Sequence, residues 1–315
     1  MAEVRSHLKS IFVGGKQMRK GEIIAYNISR SGILNFLPDR YYLGIMYWLH
    51  TGKLLNLNNP QTLNEKLQWL KINNRDQRYI KMVDKYAVRD YVKRTIGADY
   101  LIPILGKWER GEDIDWEALP RQFVLKCNHD SHSIVICKDK EIIDKLNKHL
   151  KQNMYYVARE WPYKNVKPCI IAEKYMVDYE NDENSELTDY KFYCFGKNVD
   201  SVMVCTDRNT GSPKFYFFDR KWNLKRYNKR GKAAPEGFTI PKPQNMDKMF
   251  EIAEVFAKDI MAPYLRVDLY NCNGHVYFGE LTFFPDGGFD PNRLPETDLL
   301  FGNMTDLSLV KKADI

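Results

Sequence analysis

RVDLYNCNGHVYFGELTFFPDGG, residues Arg266 to Gly288, reads as two strands around a tight turn. Asn273-Gly274 is a strong turn signal. With Cys272-Asn273-Gly274 as a three-residue loop and Gly274 left-handed, Asn271 pairs with His275, Asp268 with Phe278 and Arg266 with Glu280. Paired residues share a face, as do residues two apart on a strand. Arg266, Asp268, Glu280 and Thr282 are therefore expected on one face, with Val267, Tyr277, Leu281 and Phe283 on the other, in a core. The inference depends on loop length, because a two-residue turn would put Asp268 and Glu280 on opposite faces.

Two carboxylates beside an arginine suit a hard cation that meets phosphate oxygens. Mg²⁺ takes few protein carboxylates and fills its octahedron with water and substrate phosphate. Arg266 cannot ligate a cation, but it can neutralise a transferring phosphoryl group. The plain alternative is a surface salt bridge on a solvated sheet face. The glycines of Pro285-Asp286-Gly287-Gly288 would let backbone approach a ligand.

A second half of a nucleotide site lies upstream. Lys126 ends the strand FVLK and precedes the polar loop CNHDSHS, then the apolar run SIVIC. Such a unit can fold over phosphates, with the ammonium and loop amides as donors. Lys85 stands in DKYAVR, expected to be helical over 84–94. CIIAEKYM is a strand that turns abruptly polar at Glu173-Lys174, where backbone groups could hold adenine while Asp189 meets a ribose. Each feature alone has an ordinary structural explanation.

Elsewhere, Thr62–Leu70 reads as a capped amphipathic helix with Leu63, Leu67 and Leu70 inward and Lys66 and Gln68 outward. Residues 246–261 have helical apolar spacing and lead into the opening hairpin. The pattern is α+β with a largely antiparallel sheet. No apolar run approaches the ~18 residues of a membrane span, and the first 20 residues are too broken for a signal peptide. Six scattered cysteines without C-x-x-C suit buried, reduced thiols in a cytoplasmic protein. The net charge is +7, and Arg220–Lys232 holds seven basic residues and no acid. That stretch suits an anionic polymer or an anionic membrane face; no nucleic-acid module accompanies it.

Taken in order, PQTLNEKLQWLK, DKYAVRDYV, FVLKCNHDS, IIAEKYM, DYKFYCFG and FGELTFFPDGGF resemble the ATP-grasp superfamily, and more narrowly the TupA-like ATP-grasp proteins of teichuronopeptide and surface-polysaccharide pathways. The resemblance spans roughly residues 40 to 305. It implies an ATP-grasp fold, with ATP between two α+β lobes: a helical segment 1–75, a linking helix and loop 76–120, a small lobe 121–180 and a large lobe 181–315. It implies that Lys85, Lys126, Ser131, His132, Glu173, Lys174, Tyr175, Met176, Asp189 and Lys191 hold ATP. Arg266 and Lys126 would act on the phosphates, and Asp268, Glu280 and Thr282 would hold Mg²⁺. Two departures stand out: Thr282 where the family commonly has asparagine, and a loop 128–133 without glycine, His132 standing where one is expected.

The reaction implied is amide formation through an acylphosphate, with His129 or a nearby carboxylate taking the amine's proton. The expected partners are a uronic-acid carboxyl of an anionic polysaccharide or its precursor, and an amino acid or small amine. Arg208, Arg293, Asp286, Gly287, Gly288 and the basic stretch are the substrate candidates. Such a protein would work in the cytoplasm, with peripheral association with membrane-linked machinery kept open. A glycosyltransferase, a glycan kinase and a non-catalytic nucleotide-binding module stay open as alternatives.

Overall fold

Antiparallel ladders organise the described residues into a six-stranded sheet, a three-stranded sheet and a short two-stranded pair. The computed structural model describes residues 12–13, 16–17, 19–130, 141–178, 187–207 and 213–310. In chain order, the first elements are β1 (Phe12–Val13), β2 (Lys16–Gln17), α1 (Lys20–Ser31), α2 (Asp39–Thr51), α3 (Leu63–Asn73), α4 (Arg78–Val83) and α5 (Val88–Thr95). Then come β3 (Ile104–Trp108), β4 (Phe123–Cys127), α6 (Glu141–Leu150), α7 (Met154–Ala158) and β5 (Ile170–Lys174). The remainder is β6 (Asp189–Phe195), β7 (Asn198–Thr206), β8 (Lys214–Phe218), β9 (Leu224–Lys225), α8 (Lys229–Ala233), α9 (Met246–Ile260), β10 (Leu265–Cys272), β11 (His275–Thr282) and α10 (Pro295–Met304).

The larger sheet has the order β11-β10-β6-β7-β8-β9. Helix α9 covers one face through Met249, Phe250, Ala253, Phe256 and Ile260, all buried. Phe250 meets Phe192 of β6 edge-on, with ring centroids 5.0 Å apart. Removing such a ring would cost about 3–5 kcal/mol. On the opposite face, Tyr193 packs against Phe301 of α10 at 5.7 Å. By strand alternation Asp189 and Lys191 share that second face with Tyr193.

The smaller sheet has the order β3-β5-β4. It includes Ile104–Trp108, upstream of the expected boundary at 121, because β3 pairs antiparallel with β5. The helix expected over 84–94 is also shorter at its start. Asp84 has extended backbone after α4, its Oδ1 accepts from the amides of Tyr86 and Ala87, and α5 begins at Val88. The run SIVIC, expected as a strand, lies outside the described residues.

Helix α3 begins as expected, with Thr62 and Glu65 forming a reciprocal capping box. Leu63, Leu67 and Leu70 join the main core. Lys66 and Gln68 do not face solvent, however. Lys66 Nζ donates to the carbonyls of Gly302 and Thr305, and Gln68 is fully buried. The far C-terminal elements cover this side of the helix, which its own periodicity cannot reveal. Among the described residues no helix is long and apolar enough to cross a membrane.

Candidate functional site

The hairpin turns on two residues, not three. Cys272 pairs with His275, and Asn273 and Gly274 take φ of 51° and 69°, the left-handed pair of a tight hairpin turn. This alone would separate the two carboxylates. A β-bulge between Asp268 and Leu269 then inserts Gly279 on β11, so that Asp268 pairs with Glu280 and Arg266 with Thr282. The four polar side chains share a face after all, by a different register. The two-residue turn also reverses Tyr277 and Phe278: Tyr277 pairs with Tyr270 and is half-buried rather than in the core, and Phe278 pairs with Leu269 and is buried. A Cβ on Gly279 would lie 2.9 Å from the Asp268 carbonyl oxygen.

On that face Arg266 grips Asp268 with both arms: Nε donates to Oδ1 and Nη2 to Oδ2, each at 2.7 Å. Nη2 also reaches Glu280 Oε1 at 3.1 Å and Thr282 Oγ1 at 3.2 Å. From the neighbouring strand β6, Lys191 Nζ donates to Asp268 Oδ2 at 2.6 Å and pairs with Asp189 Oδ2 at 3.1 Å. Burial would lower the pKa of Lys191, but Asp268, Asp189 and Glu280 outweigh it and the pKa is raised. Burial would likewise raise Glu280; the charges of Lys85, Arg266 and Lys191 and the Thr282 hydroxyl instead hold it at about 2. The face is thus a set of charges that fix one another in their ionised forms.

Lys126 on β4 belongs to the smaller sheet, where its Nζ lies 2.6 Å from Glu173 Oε2 on β5, with Arg89 3.8 Å from the second oxygen. Lys174 is exposed, and its amide donates to the Pro103 carbonyl. Tyr175 and Met176 follow it, half-buried. The segment is tied to the hairpin tip by Asn273 Nδ2, which donates to the Val177 carbonyl at 2.7 Å. Lys85 anchors the loop after β4: its amide donates to the Asn128 carbonyl at 2.9 Å and its ammonium to the Asp130 carbonyl. Ser131, His132 and Arg208 lie outside the described residues.

Three expectations change. His129 is fully buried, its Nε2 bonded to the Gln152 carbonyl at 2.9 Å and its Nδ1 3.3 Å from Asn128 Oδ1. Burial lowers its pKa, and a histidine so enclosed is structural. Arg293 is buried against Asp298 at 3.0 Å and Asp290 at 3.4 Å, so its guanidinium is not open to a polymer. Gly287 and Gly288 serve helix α3 rather than a ligand: a Cβ on Gly288 would meet Gln68 Nε2 at 2.4 Å. Asp286, in the same left-handed turn, is exposed.

Sequence reasoning missed Lys71, Arg89 and Glu160. Lys71 is buried, and its ammonium donates to Gln68 Oε1 at 3.0 Å, the Ala158 carbonyl at 2.7 Å and the Gly287 carbonyl at 2.6 Å. Glu160 follows two residues after Ala158 and is 7% exposed. Burial raises its pKa to about 7, Lys71 opposes the rise, and Glu280 and Asp286 add to it. Arg89 was visible in principle, four residues after Lys85. Glu160 and Lys71 had no local signal.

The donors present fit Mg²⁺ held mainly by nucleotide oxygens. Asp268 and Glu280 are hard carboxylates, and Glu280 Oε2 accepts no hydrogen bond among the described residues. They do not form an all-protein cage: no group of three or more His, Cys, Asp or Glu able to hold a metal occurs among the described residues. Thr282 Oγ1 donates to Glu280 Oε1 at 2.8 Å, which orients that carboxylate.

The sequence profile of the TupA-like ATP-grasp family matches residues 65–305. The chain belongs to the TupA-like ATP-grasp family. ATP-grasp proteins are generally ATP-dependent carboxylate–amine ligases that use ATP, typically with Mg²⁺. A search of curated proteins found no match. Among solved structures, D-alanine–D-alanine ligase from Bacillus anthracis complexed with ATP is 14% identical, with a TM-score of 0.42 over 73% of this chain and 65% of that one. A second structure of the Bacillus anthracis ligase is 16% identical, with a TM-score of 0.45 over 79% of this chain and 76% of that one. The ligase from Helicobacter pylori is 12% identical, with a TM-score of 0.42 over 77% of this chain and 68% of that one. This TupA-like ATP-grasp chain thus spans about 65% of the first of these ligases. Helices α1 and α2 precede the part that matches the TupA-like profile.

Proposed function

We propose that this protein joins a uronic-acid carboxyl of a surface polysaccharide, or of its precursor, to an amino acid or small amine, using ATP and Mg²⁺. The observation that supports a phosphoryl-transfer site is the convergence of Lys191, Arg266, Asp268 and Glu280 on one sheet face. The bound Mg²⁺ would neutralise phosphate charge and polarise the transferring phosphoryl group. Asp268 and Glu280 would hold it. Arg266, already locked by Asp268, would meet the charge that develops on the γ-phosphate without reorganising. Lys126 and Lys85, on the opposite wall, would fix the remaining phosphates. The substrate carboxylate would attack the γ-phosphorus as its bond to the bridging oxygen breaks and ADP leaves, giving an acylphosphate; the amine would then displace phosphate, losing a proton, to leave an amide. Alignment and charge neutralisation supply the rate, and no protein nucleophile is needed.

The sugar acid is the finer part of the proposal. It is supported by the family's resemblance to polysaccharide-pathway proteins and by the basic stretch at Arg220–Lys232. Part of that stretch is structural: Arg226 donates to the carbonyls of Gly231, Lys232, Ala234 and Pro235, and Arg220 pairs with Glu254. Its backbone is joined to the segment after the Asp286 turn by Lys229 N to Asn292 O and Leu294 N to Tyr227 O. Lys232 pairs with Glu296, and the other lysines of the stretch are the proposed contacts for the anionic sugar.

The test supplies carboxyl-¹⁸O-labelled D-galacturonate, D-glucuronate or D-mannuronate with Mg·ATP and a panel of amines. Label in the released phosphate, together with amide, is the expected result. Amide formed with unlabelled phosphate would sink the acylphosphate route. Phosphate retained on the sugar would favour a glycan kinase.

A further inference from the structure

Helices α1 and α2 carry an exposed apolar surface that the Arg266 site does not use. Seven of the fourteen exposed large apolar side chains among the described residues lie between Ile24 and Leu54. On α2, Tyr41, Ile45 and Trp48 follow one another at spacings of four and three and so share one face, while Tyr42, Leu43, Met46 and Tyr47 fill the other. Phe36, before the helix, and Leu54, after it, are 79% and 85% exposed. Gly44 lies next to the outer face, and a Cβ there would meet nothing within 4 Å, so the described chain leaves this side uncovered. Single exposed apolar residues are ordinary, but a gathered set marks a surface that meets something other than water.

The charges of these two helices say what that is. Within residues 19–54, Arg19, Lys20, Arg30, Arg40 and Lys53 are exposed, and no acid is. Glu22 is buried and accepts from Arg19 Nη2 at 3.1 Å. Asp39 is half-buried, accepts from the Tyr155 hydroxyl at 2.8 Å and pairs with Arg159 Nε at 3.4 Å. A second copy of the chain seated here would set bases against bases. An anionic bilayer meets both features, because its headgroups attract the bases and its interface takes Trp, Tyr and aliphatic side chains to a shallow depth. The inner side of α2 is firmly seated: Tyr47 and His50 pack on Phe289, with ring centroids 6.4 and 4.6 Å away.

We infer that α2 docks this protein on an anionic phospholipid bilayer. The helix lies along the interface with Tyr41, Ile45 and Trp48 among the headgroups, and Arg40 and Lys53, at the two ends of the stripe, meet lipid phosphates. This surface is distinct in sequence from the basic stretch Arg220–Lys232, and the assignment stands whether or not the ligase reading does. It adds a place to the chemistry: an enzyme held through α2 acts on acceptors presented at a membrane face.

The full chain is sedimented with vesicles of phosphatidylcholine alone and with vesicles that also hold about 30% phosphatidylglycerol. Binding to the anionic vesicles is expected to be ~10-fold or more tighter than to phosphatidylcholine and to weaken as salt is added. Changing Ile45→Ser and Trp48→Ser together is expected to weaken it ~10-fold or more, with a thermal transition like that of wild type. Brominated lipid should quench part of the wild-type tryptophan fluorescence. Trp48→Phe keeps the stripe apolar, so it should bind as wild type does and lose that quenching; this comparison decides the matter even if the double variant does not fold. Quenching that persists in Trp48→Phe would come from another tryptophan, such as Trp222 in the basic stretch, and overturns the assignment. No binding to either vesicle, equal binding to both, or undiminished binding by a folded double variant overturns it as well. Self-association of the wild type that the double variant abolishes, without vesicle binding by either, would give the surface to a second copy instead.

Discussion

Arg266 and Asp268 stand two residues apart on β10 and meet as a two-pronged fork, with both nitrogen–oxygen distances 2.7 Å. A point charge cannot reproduce that geometry. Arg266→Lys is therefore expected to keep the fold while lowering Mg·ATP-dependent phosphate release by ~10²-fold or more. Arg266→Met leaves Asp268 and Glu280 short of a partner and is expected to destabilise by about 3–5 kcal/mol. Urea unfolding beside a steady-state phosphate assay checks both; an Arg266→Lys enzyme of full activity would remove Arg266 from the phosphate site.

The Gly279 bulge is what brings Asp268 and Glu280 to one face. Deleting Gly279 removes the extra residue and should leave Glu280 opposite Asp268, and Thr282 opposite Arg266, in a regular ladder. Stabilisation by Mg·ATP is expected to persist in thermal unfolding, where ligand at ~100 times its Kd adds ~2.7 kcal/mol. Gly279→Val, which keeps the register but crowds the Asp268 carbonyl, should cost about 1–3 kcal/mol and keep some binding. Loss of binding in the deletion would refute this register.

Glu280 is held at about 2 in the folded protein, against ~4.3 when unfolded. A depressed carboxylate contributes stability above its unfolded pKa, and this is lost as the pH falls through the folded value. Acid unfolding should therefore steepen between about pH 4 and pH 2, and Glu280→Gln should flatten that limb. Superimposable acid limbs would contradict the cluster.

Glu160 has the opposite sign. Its folded pKa of about 7 lies above the unfolded ~4.3, so the folded state binds the extra proton and its advantage is lost as the pH rises through 7. Relative to wild type, Glu160→Gln should gain stability on the order of 3 kcal/mol between pH 4 and pH 8. The comparison is made by denaturant titration across that range. A difference independent of pH would show that Glu160 is ionised throughout.

The sequence made the α+β class, the antiparallel sheet and the identity of the polar face legible, because strand alternation and an Asn-Gly turn are local signals. It misjudged how that face arises. The three-residue loop and the Gly279 bulge give the same facing for Asp268 and Glu280, and the residues between turn and bulge, Tyr277 and Phe278, betray the difference. What stayed hidden depends on contacts distant in sequence. Gln68 and Lys66 look like an outward stripe until residues near 287 and 302 close over them.

Helix α3 has a further consequence for how the chain is made. Asn64 meets Asp298 across 234 residues, and Lys71 meets Gly287 across 216. At ~5–20 residues per second, the ribosome takes roughly 10–50 s to supply those partners after α3 has emerged. During that interval Leu63, Leu67 and Leu70 have no C-terminal core to enter. The nascent chain is expected to need shielding until α10 is released, and slow translation late in the message should lower the yield of folded protein more than slow translation early.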